Sequence, residues 1–271
     1  LDVQDITSDH LDMLQSPRYG YGKNMNPCID CHTLMLKIAG RKMEETGADF
    51  IITGEVLGQR PMSQNKQSLY IVAKNSGYPD FILRPLSAQL LDPIKAEREN
   101  RIDRSQLLSI QGRGRKAQMK LADDLGIRHY APPAGGCLLT DPIFSRRLRD
   151  LFSHPDYKNV RDIELLKYGR HFRIDERCKV IVGRNNADNE ALKKLTTPHD
   201  LILNMATCPG PLVLVPYGGN ETFKQTAASL CVRYSDADNN VPSTVLCRHH
   251  NTSEAITSVA ASREDCEAWI L

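Results

Sequence analysis

Phe50-Ile51-Ile52-Thr53-Gly54-Glu55-Val56-Leu57-Gly58-Gln59 is the stretch that decides the fold. An apolar run of strand length breaks off into a loop punctuated by glycines, at the carboxyl end of the strand, where open parallel sheets place their ligands. Upstream, Leu34, Met35, Ile38, Ala39 and Met43 recur at helical spacing and stop at Gly47, a residue suited to a left-handed helix end. Helix, buried strand and glycine loop in that order predict an α/β domain on a parallel sheet. The glycines of Gly54–Gln59 let backbone approach a bound group, and Arg60 adds a cation. A plain strand-to-helix turn has the same spacing.

Outward from this unit, Phe81-Ile82-Leu83-Arg84-Pro85-Leu86 predicts a second strand. Gln111-Gly112-Arg113-Gly114-Arg115-Lys116 then opens a helix over Ala117 to Leu125, ahead of Gly126. Arg113, Arg115 and Lys116 lie where the helix dipole disfavours cations. That suggests a phosphate partner, a solvated basic turn being the alternative. On the amino side, Ser8-Asp9-His10-Leu11 predicts a capped helix, and the opening Leu1-Asp2-Val3 suggests a chain that starts inside a domain.

Three cysteines carry the chemistry: Cys28 and Cys31 in Asn26-Pro27-Cys28-Ile29-Asp30-Cys31-His32, and Cys137 after Gly135-Gly136. A CxxC pair sets two soft thiolates on one turn, and a third on a distant glycine loop can close a site around them. Structural zinc takes four Cys or His ligands, so a three-cysteine site keeps a position open for reaction. His32 as a fourth ligand points away from the turn if the segment is helical. Structural zinc and unrelated thiols are the alternatives.

With 271 residues and 41% apolar content the chain is long enough for two ordinary domains. A net charge of +2 diagnoses no nucleic-acid partner by itself. Eight cysteines without a cleavable signal segment, and apolar runs no longer than Leu212-Val213-Leu214-Val215, suggest a reducing, cytoplasmic setting without a membrane anchor. Asp141-Pro142 starts a helix bearing Arg146, Arg147 and Arg149, and Ser153-His154-Pro155-Asp156 marks a boundary. Strands at Lys179–Val182, Leu201–Leu203 and Leu212–Val215 then alternate with helices at Asn189–Leu195 and Thr222–Tyr234. Cys178, Cys208, Cys231, Cys247 and Cys266 lack paired spacing and read as buried thiols. His249-His250 beside Cys247 reads as a solvated pair rather than ligands, and Trp269 as an anchor for a last strand.

Thr53-Gly54-Glu55-Val56-Leu57-Gly58-Gln59 with Leu83-Arg84-Pro85-Leu86 resembles the adenylating domain of the tRNA 4-thiouridine synthetases (ThiI) over roughly residues 1–127. Asn26-Pro27-Cys28-Ile29-Asp30-Cys31 is similar to the Asn-Pro-Asp-x-x-Cys segment of the tRNA 2-thiouridylases, with cysteine in place of aspartate, and Cys137 falls where their second active cysteine lies. The three-cysteine pattern also resembles the cluster-dependent tRNA thiolases. Val182-Gly183-Arg184-Asn185-Asn186 with Asn189, His199-Asp200-Leu201, Pro209-Gly210-Pro211, Ala227-Ala228 and Tyr234-Ser235 resembles the NFACT-R RNA-binding module. The resemblance implies an α/β fold class: a truncated PP-loop (HUP-like) parallel-sheet domain over 1–135, a helical linker over 136–165, and a smaller α/β or α+β domain over 166–271.

The phosphate-cradling Ser-Gly-Gly-x-Asp-Ser loop of the PP-loop enzymes does not occur; Gly135-Gly136-Cys137 and Gly218-Gly219-Asn220 lack its serines and aspartate. The expectation is that this loop preceded Leu1 and that the polypeptide alone binds ATP poorly and is inactive. The resemblance implies that ATP with magnesium adenylates a tRNA uridine and that sulfur, from a donor protein or sulfide, displaces AMP. Cys31 and Cys137 would carry and resolve a persulfide, or join Cys28 in holding a 4Fe–4S cluster, which cysteine at position 28 favours. Gly54, Glu55, Gln59 and Arg60 would meet nucleotide or uridine, and Arg113, Arg115, Lys116, Arg184 and Asn185 would meet RNA; Asn185-Asn186 reads equally as a capping turn. The competing class is a non-catalytic RNA-binding protein with structural zinc or inert cysteines.

Overall fold

Ile51 and Ile52 form β1 and pair in parallel with Ile82 and Leu83 of β2. Parallel neighbours need a crossover, which α3 (Lys66–Ser76) supplies. Two helices precede them, α1 (Thr7–Gln15) and α2 (Cys28–Thr46), the latter ending at Gly47 with φ +67°. Short helix α4 (Lys95–Arg98) and helix α5 (Lys116–Asp124) follow β2. The computed structural model describes residues 1–130, 137–154, 159–250 and 252–271. Two units result, Leu1–Cys137 and Leu138–Leu271.

The short sheet of the first unit has β2 covered on both faces, while Ile52 of β1 stays exposed. Leu36 of α2 and Val72 and Ala73 of α3 cluster with Ile82, while Leu83 packs with Ala88, Ile94 and Ala96. Gly40 is what lets α2 lie against Tyr78: a Cβ there would fall 2.1 Å from the ring.

The second unit opens with α6 (Pro142–Ser153), capped by Asp141 accepting from the Phe144 amide at 2.7 Å, and α7 (Val160–Leu165). The stretch 136–165 is helical where described. It belongs to this unit: Leu148 and Leu151 are buried, Leu165 joins a core cluster, and Arg147 donates to the carbonyls of Leu166 and Gly169. The chain divides at Cys137, ahead of the boundary expected at 153–156, because α6 buries its apolar stripe within the second unit.

Strands β3 (Arg170–Asp175), β4 (Cys178–Val182), β5 (Leu201–Met205), β6 (Val213–Val215), β7 (Ser243–His249) and β8 (Thr252–Ser258) form an antiparallel sheet ordered β3-β4-β6-β5-β7-β8. Helices α8 (Asn186–Lys194), α9 (Glu221–Arg233) and α10 (Arg263–Trp269) complete an α+β architecture. One sheet face, with Leu201, Leu203, Val213, Val215 and Val245, packs on Ala227, Leu230 and Cys231 of α9. The opposite face buries Ile181, Ile202 and Leu214 against Leu165 and Leu192. Trp269 ends a helix instead of anchoring a strand, and packs partly buried on the first core; beyond it Ile270 bridges Phe172. Cys178, Cys231, Cys247 and Cys266 are buried and Cys208 is half-buried. Among the described residues no helix is long and apolar enough to cross a membrane.

His171 on β3 is fully buried; its Nε2 donates to the Tyr168 carbonyl at 2.8 Å, and Nδ1 has no hydrogen-bond partner among the described residues. Burial, with the charges of Lys179 and Arg147, holds the imidazole well below its usual range. The native state thus stays neutral where the unfolded chain takes up a proton below pH ~6.5. Stability is complete above that pH and falls on acidification by up to ~1.4 kcal/mol per unit from this group. Asp162, which burial holds above the ordinary carboxylate value, acts in the opposite sense at lower pH. Urea midpoints are expected to fall between pH 7.5 and 6.0, and this dependence should flatten in His171→Gln; an unchanged slope in the variant would count against it.

Candidate functional site

Helix α2 begins after Pro27, which follows a turn closed by the Gly22 amide donating to the Asn26 carbonyl at 3.0 Å, and its first turn carries Cys28, Cys31 and His32. The preceding loop is held over this turn because the Asp30 carboxylate accepts from the Arg18 and Tyr19 amides at 3.1 and 3.0 Å. Asn26 Nδ2 donates to Cys28 Sγ at 3.4 Å. Gly22 leaves room for that amide: a Cβ there would lie 2.6 Å from Asn26 Nδ2. A cavity of about 30 Å³ adjoins Cys28, lined by Tyr19, Tyr21 and Met62.

Cys28 and Cys31 are half-buried and Cys137 is exposed. Burial pushes the Cys31 thiol up to about 11, and negative charge at Cys137 and Cys28 pushes in the same direction. A helix N-terminus ordinarily lowers a thiol's pKa, so desolvation outweighs the dipole here. Cys137, far from the CxxC turn in sequence, closes the same unit. Ala131 to Gly136, including the glycine pair before Cys137, lie outside the described residues. Among the described residues no three His, Cys, Asp or Glu side chains stand in an arrangement that could hold a metal ion.

Beside the thiols lies a buried ionic relay. His32 Nδ1 is 2.7 Å from Glu55 Oε1, and Arg84 Nε donates to Glu55 Oε2 at 2.8 Å. Glu55 follows β1 and Arg84 follows β2, so the parallel register sets acid beside base at the carboxyl ends of both strands. Burial raises the Glu55 carboxyl, but the His32 hydrogen bond and the Arg84 charge outweigh it and leave the group below its ordinary value. One terminal nitrogen of Arg84 is buried without a hydrogen-bond partner among the described residues. The sequence reading had not assigned His32 or Arg84 to this relay. The available signal was an acid and a base following two strands that become neighbours.

The loop after β1 and the basic turn before α5 are joined. Leu57 bridges Gln111, Gly112 donates to the Leu57 carbonyl at 2.7 Å, and Gln59 donates to Gln118 of α5 at 3.0 Å. Gly54 is exposed and Arg60 half-buried at the mouth of this loop, with Arg113 and Lys116 exposed beside it. Arg115 is half-buried, its Nε without a hydrogen-bond partner among the described residues.

In the second unit Arg184 is engaged internally, donating to Asp188 through Nε at 2.6 Å, and Asn185 caps α8 by accepting from the Asp188 amide at 2.9 Å. Of the two readings of this turn, capping is therefore visible in the geometry. Asp200 is buried, paired with Arg161, and accepts from the Thr197 and Tyr217 amides at 2.6 and 2.9 Å. His249 and His250 stack with ring centroids 4.1 Å apart, His250 meeting His199 edge-on at 5.4 Å, while Cys247 points into the core.

Residues 9–96 match the family described as thiamine biosynthesis protein (ThiI), and residues 169–270 match the NFACT protein RNA binding domain. A probable tRNA sulfurtransferase of Methanocaldococcus jannaschii is 32% identical over 31% of this chain and 25% of its own length. The chain thus spans about a quarter of that curated relative. The C-terminal part of the fibronectin/fibrinogen-binding protein from Streptococcus suis aligns with 99% of this chain and 100% of that one, at 11% identity and a TM-score of 0.35, too low for argument. The match over residues 9–96 includes Cys28, Cys31, His32, Glu55 and Arg84, and ends before Cys137. The chain is therefore similar to the ThiI family over residues 9–96 and to the NFACT RNA binding domain over residues 169–270, each match covering less than half of its length.

Proposed function

We propose that this chain takes part in thiolation of a tRNA uridine, its first unit contributing a thiol pair for sulfur transfer and its second unit holding RNA. What supports the chemistry is the placement of the thiols: Cys28 and Cys31 half-buried on the first turn of α2, with Cys137 exposed at the end of the same unit. In this reading ATP, with magnesium, places AMP on a uridine carbonyl oxygen and releases pyrophosphate. No phosphate-cradling Ser-Gly-Gly-x-Asp-Ser segment occurs in this sequence.

Cys137, the exposed thiol, is the one a donor protein can reach: its thiolate attacks the terminal sulfur of the donor's persulfide, the donor's sulfur–sulfur bond breaks, the donor thiolate leaves with the electron pair, and Cys137 then carries the persulfide. Its terminal sulfur attacks the activated ring carbon; the carbon–oxygen bond breaks and AMP leaves with the electron pair. The uridine is then held through a disulfide to Cys137. Cys31, once deprotonated, attacks the Cys137 sulfur, the thiouridine departs with the electron pair, and a Cys31–Cys137 disulfide remains. A thiol reductant reopens it, which requires a reducing compartment. The raised Cys31 value keeps that thiol protonated at neutral pH, so resolution should accelerate as pH rises toward 11.

Mild oxidation of the full chain followed by differential alkylation and peptide mass mapping tests the pairing. A Cys31–Cys137 disulfide, absent in Cys31→Ser and in Cys137→Ser, is expected to be the dominant product. If both thiols stay alkylatable while another pair oxidises, the relay is lost and a purely RNA-binding role becomes the better reading.

A further inference from the structure

Two cavities on the α8 side of the second unit's sheet share walls. One, of about 310 Å³, is lined by Asn186, Asn189, Lys193 and Asn204; the other, of about 270 Å³, by Thr196, Thr197 and His250. Ile202 and Arg248 line both, so the two form one groove with Arg248 at its middle. Its floor exists because α8 covers only part of this face. On β5 Ile202 is buried against Leu192 of α8, whereas the next outward position, Asn204, is exposed. On β7 Leu246 and Arg248 point the same way and are exposed, and β8 sets Ala255 and Ser253 opposite them.

The groove is built as well as open. Asn189 accepts from the Leu212 amide at 3.0 Å, and Gly183 makes room for it, since a Cβ there would fall 1.9 Å from Asn189 Oδ1. Three side-chain amides therefore face one nucleotide-sized compartment. Lys193 and Arg248 supply positive charge, against Glu190 as the carboxylate of the same wall.

We infer that this groove is the RNA-docking surface of the second unit, and that it takes single-stranded RNA: a base enters the Asn186/Asn189/Asn204 compartment while Arg248 and Lys193 meet the adjoining phosphates. The inference rests on the RNA-binding reading of residues 169–270 and adds where the RNA lies. Amides can donate to and accept from a base edge, and cations meet phosphate. Only unpaired bases can be splayed into such a compartment, and a guanidinium plane or imidazole ring offers a stacking surface beside it. Arg184, paired with Asp188, and Asn185, the N-cap of α8, do not line either cavity, whereas Lys193, Asn204 and Arg248 do.

Fluorescence anisotropy of the full chain with a short, mixed-sequence single-stranded RNA tests this, with circular dichroism as the folding check. Arg248→Glu and Asn204→Asp lie at exposed strand positions; Arg263→Glu, on α10, is the charge-matched control. Each groove variant is expected to weaken binding on the order of ten-fold, and Arg248→Glu to make the salt dependence shallower by about one phosphate contact. The control should bind as the unsubstituted chain does. If the unsubstituted chain binds no RNA, the RNA reading and the groove fall together. If it binds but the groove variants match it, or the control loses as much as they do, the groove alone is overturned. Equal affinity for an RNA duplex overturns the single-strand assignment.

Discussion

Glu55→Ala is expected to lower the stability of the first unit by about 3–5 kcal/mol, the usual consequence of removing one partner of a buried ion pair. Glu55 and Arg84 are 9% and 7% exposed in their side chains, and Arg84 already has one terminal nitrogen without a partner among the described residues. Alanine would leave that guanidinium buried and uncompensated and would release His32 from its 2.7 Å contact. The effect should be read by hydrogen exchange at the α2 amides, which separates this unit from the other. Glu55→Gln keeps the shape and some hydrogen bonding, so its loss should be smaller. A change below about 1 kcal/mol in Glu55→Ala would place the pair among hydrated surface bridges and contradict its burial.

Asp150→Ala should have a comparable effect, about 3–5 kcal/mol, on the second unit. Asp150 accepts from Arg173 through both oxygens, at 2.9 and 2.7 Å, and from Lys179 Nζ at 3.1 Å. Burial pushes Lys179 down to about 8 while Asp150 pulls it up. On Asp150 itself burial raises the carboxyl, but the Arg173 hydrogen bond and the charges of Lys179 and Arg173 leave it below its ordinary value. Removing the carboxylate sets two cations side by side in a poorly solvated site. Trp269 is the single tryptophan and packs on this unit's core, so its fluorescence in urea reports the loss directly. Asp150 also contributes stability that is present above its unfolded value of ~4 and lost as pH falls below it. The alanine variant should lack that acid-side decline, and a midpoint unchanged by the substitution would refute the assignment.

Local patterns were legible in the chain where a single face had to be buried. The spacing from Leu34 to Met43 and the glycine at 47 locate α2, which begins six residues earlier, at Cys28. The apolar run at Phe50 locates β1, shorter than expected because only Ile51 and Ile52 have partners on β2. Strands β3, β7 and β8 escaped the reading. Arg170-His171-Phe172 mixes ionic and apolar residues because His171 and Arg173 serve buried polar contacts, while β8 is the sheet's outer strand and is apolar at few positions.

Cys28, Cys31 and Cys137 were marked by residue type and spacing, since thiols near a helix start and beside a glycine loop are an unusual choice for packing alone. Sequence order alone could not show that Arg84 crosses to Glu55, or that Arg248 sits between two cavities. Helix periodicity, turn chemistry and the apolar strand runs follow from local sterics and one-sided burial, which the amino-acid sequence carries residue by residue. Pairings across β1 and β2, or across β5 and β7, depend on which strands become neighbours. That choice is made by burying whole faces at once, a collective free energy that no short segment encodes.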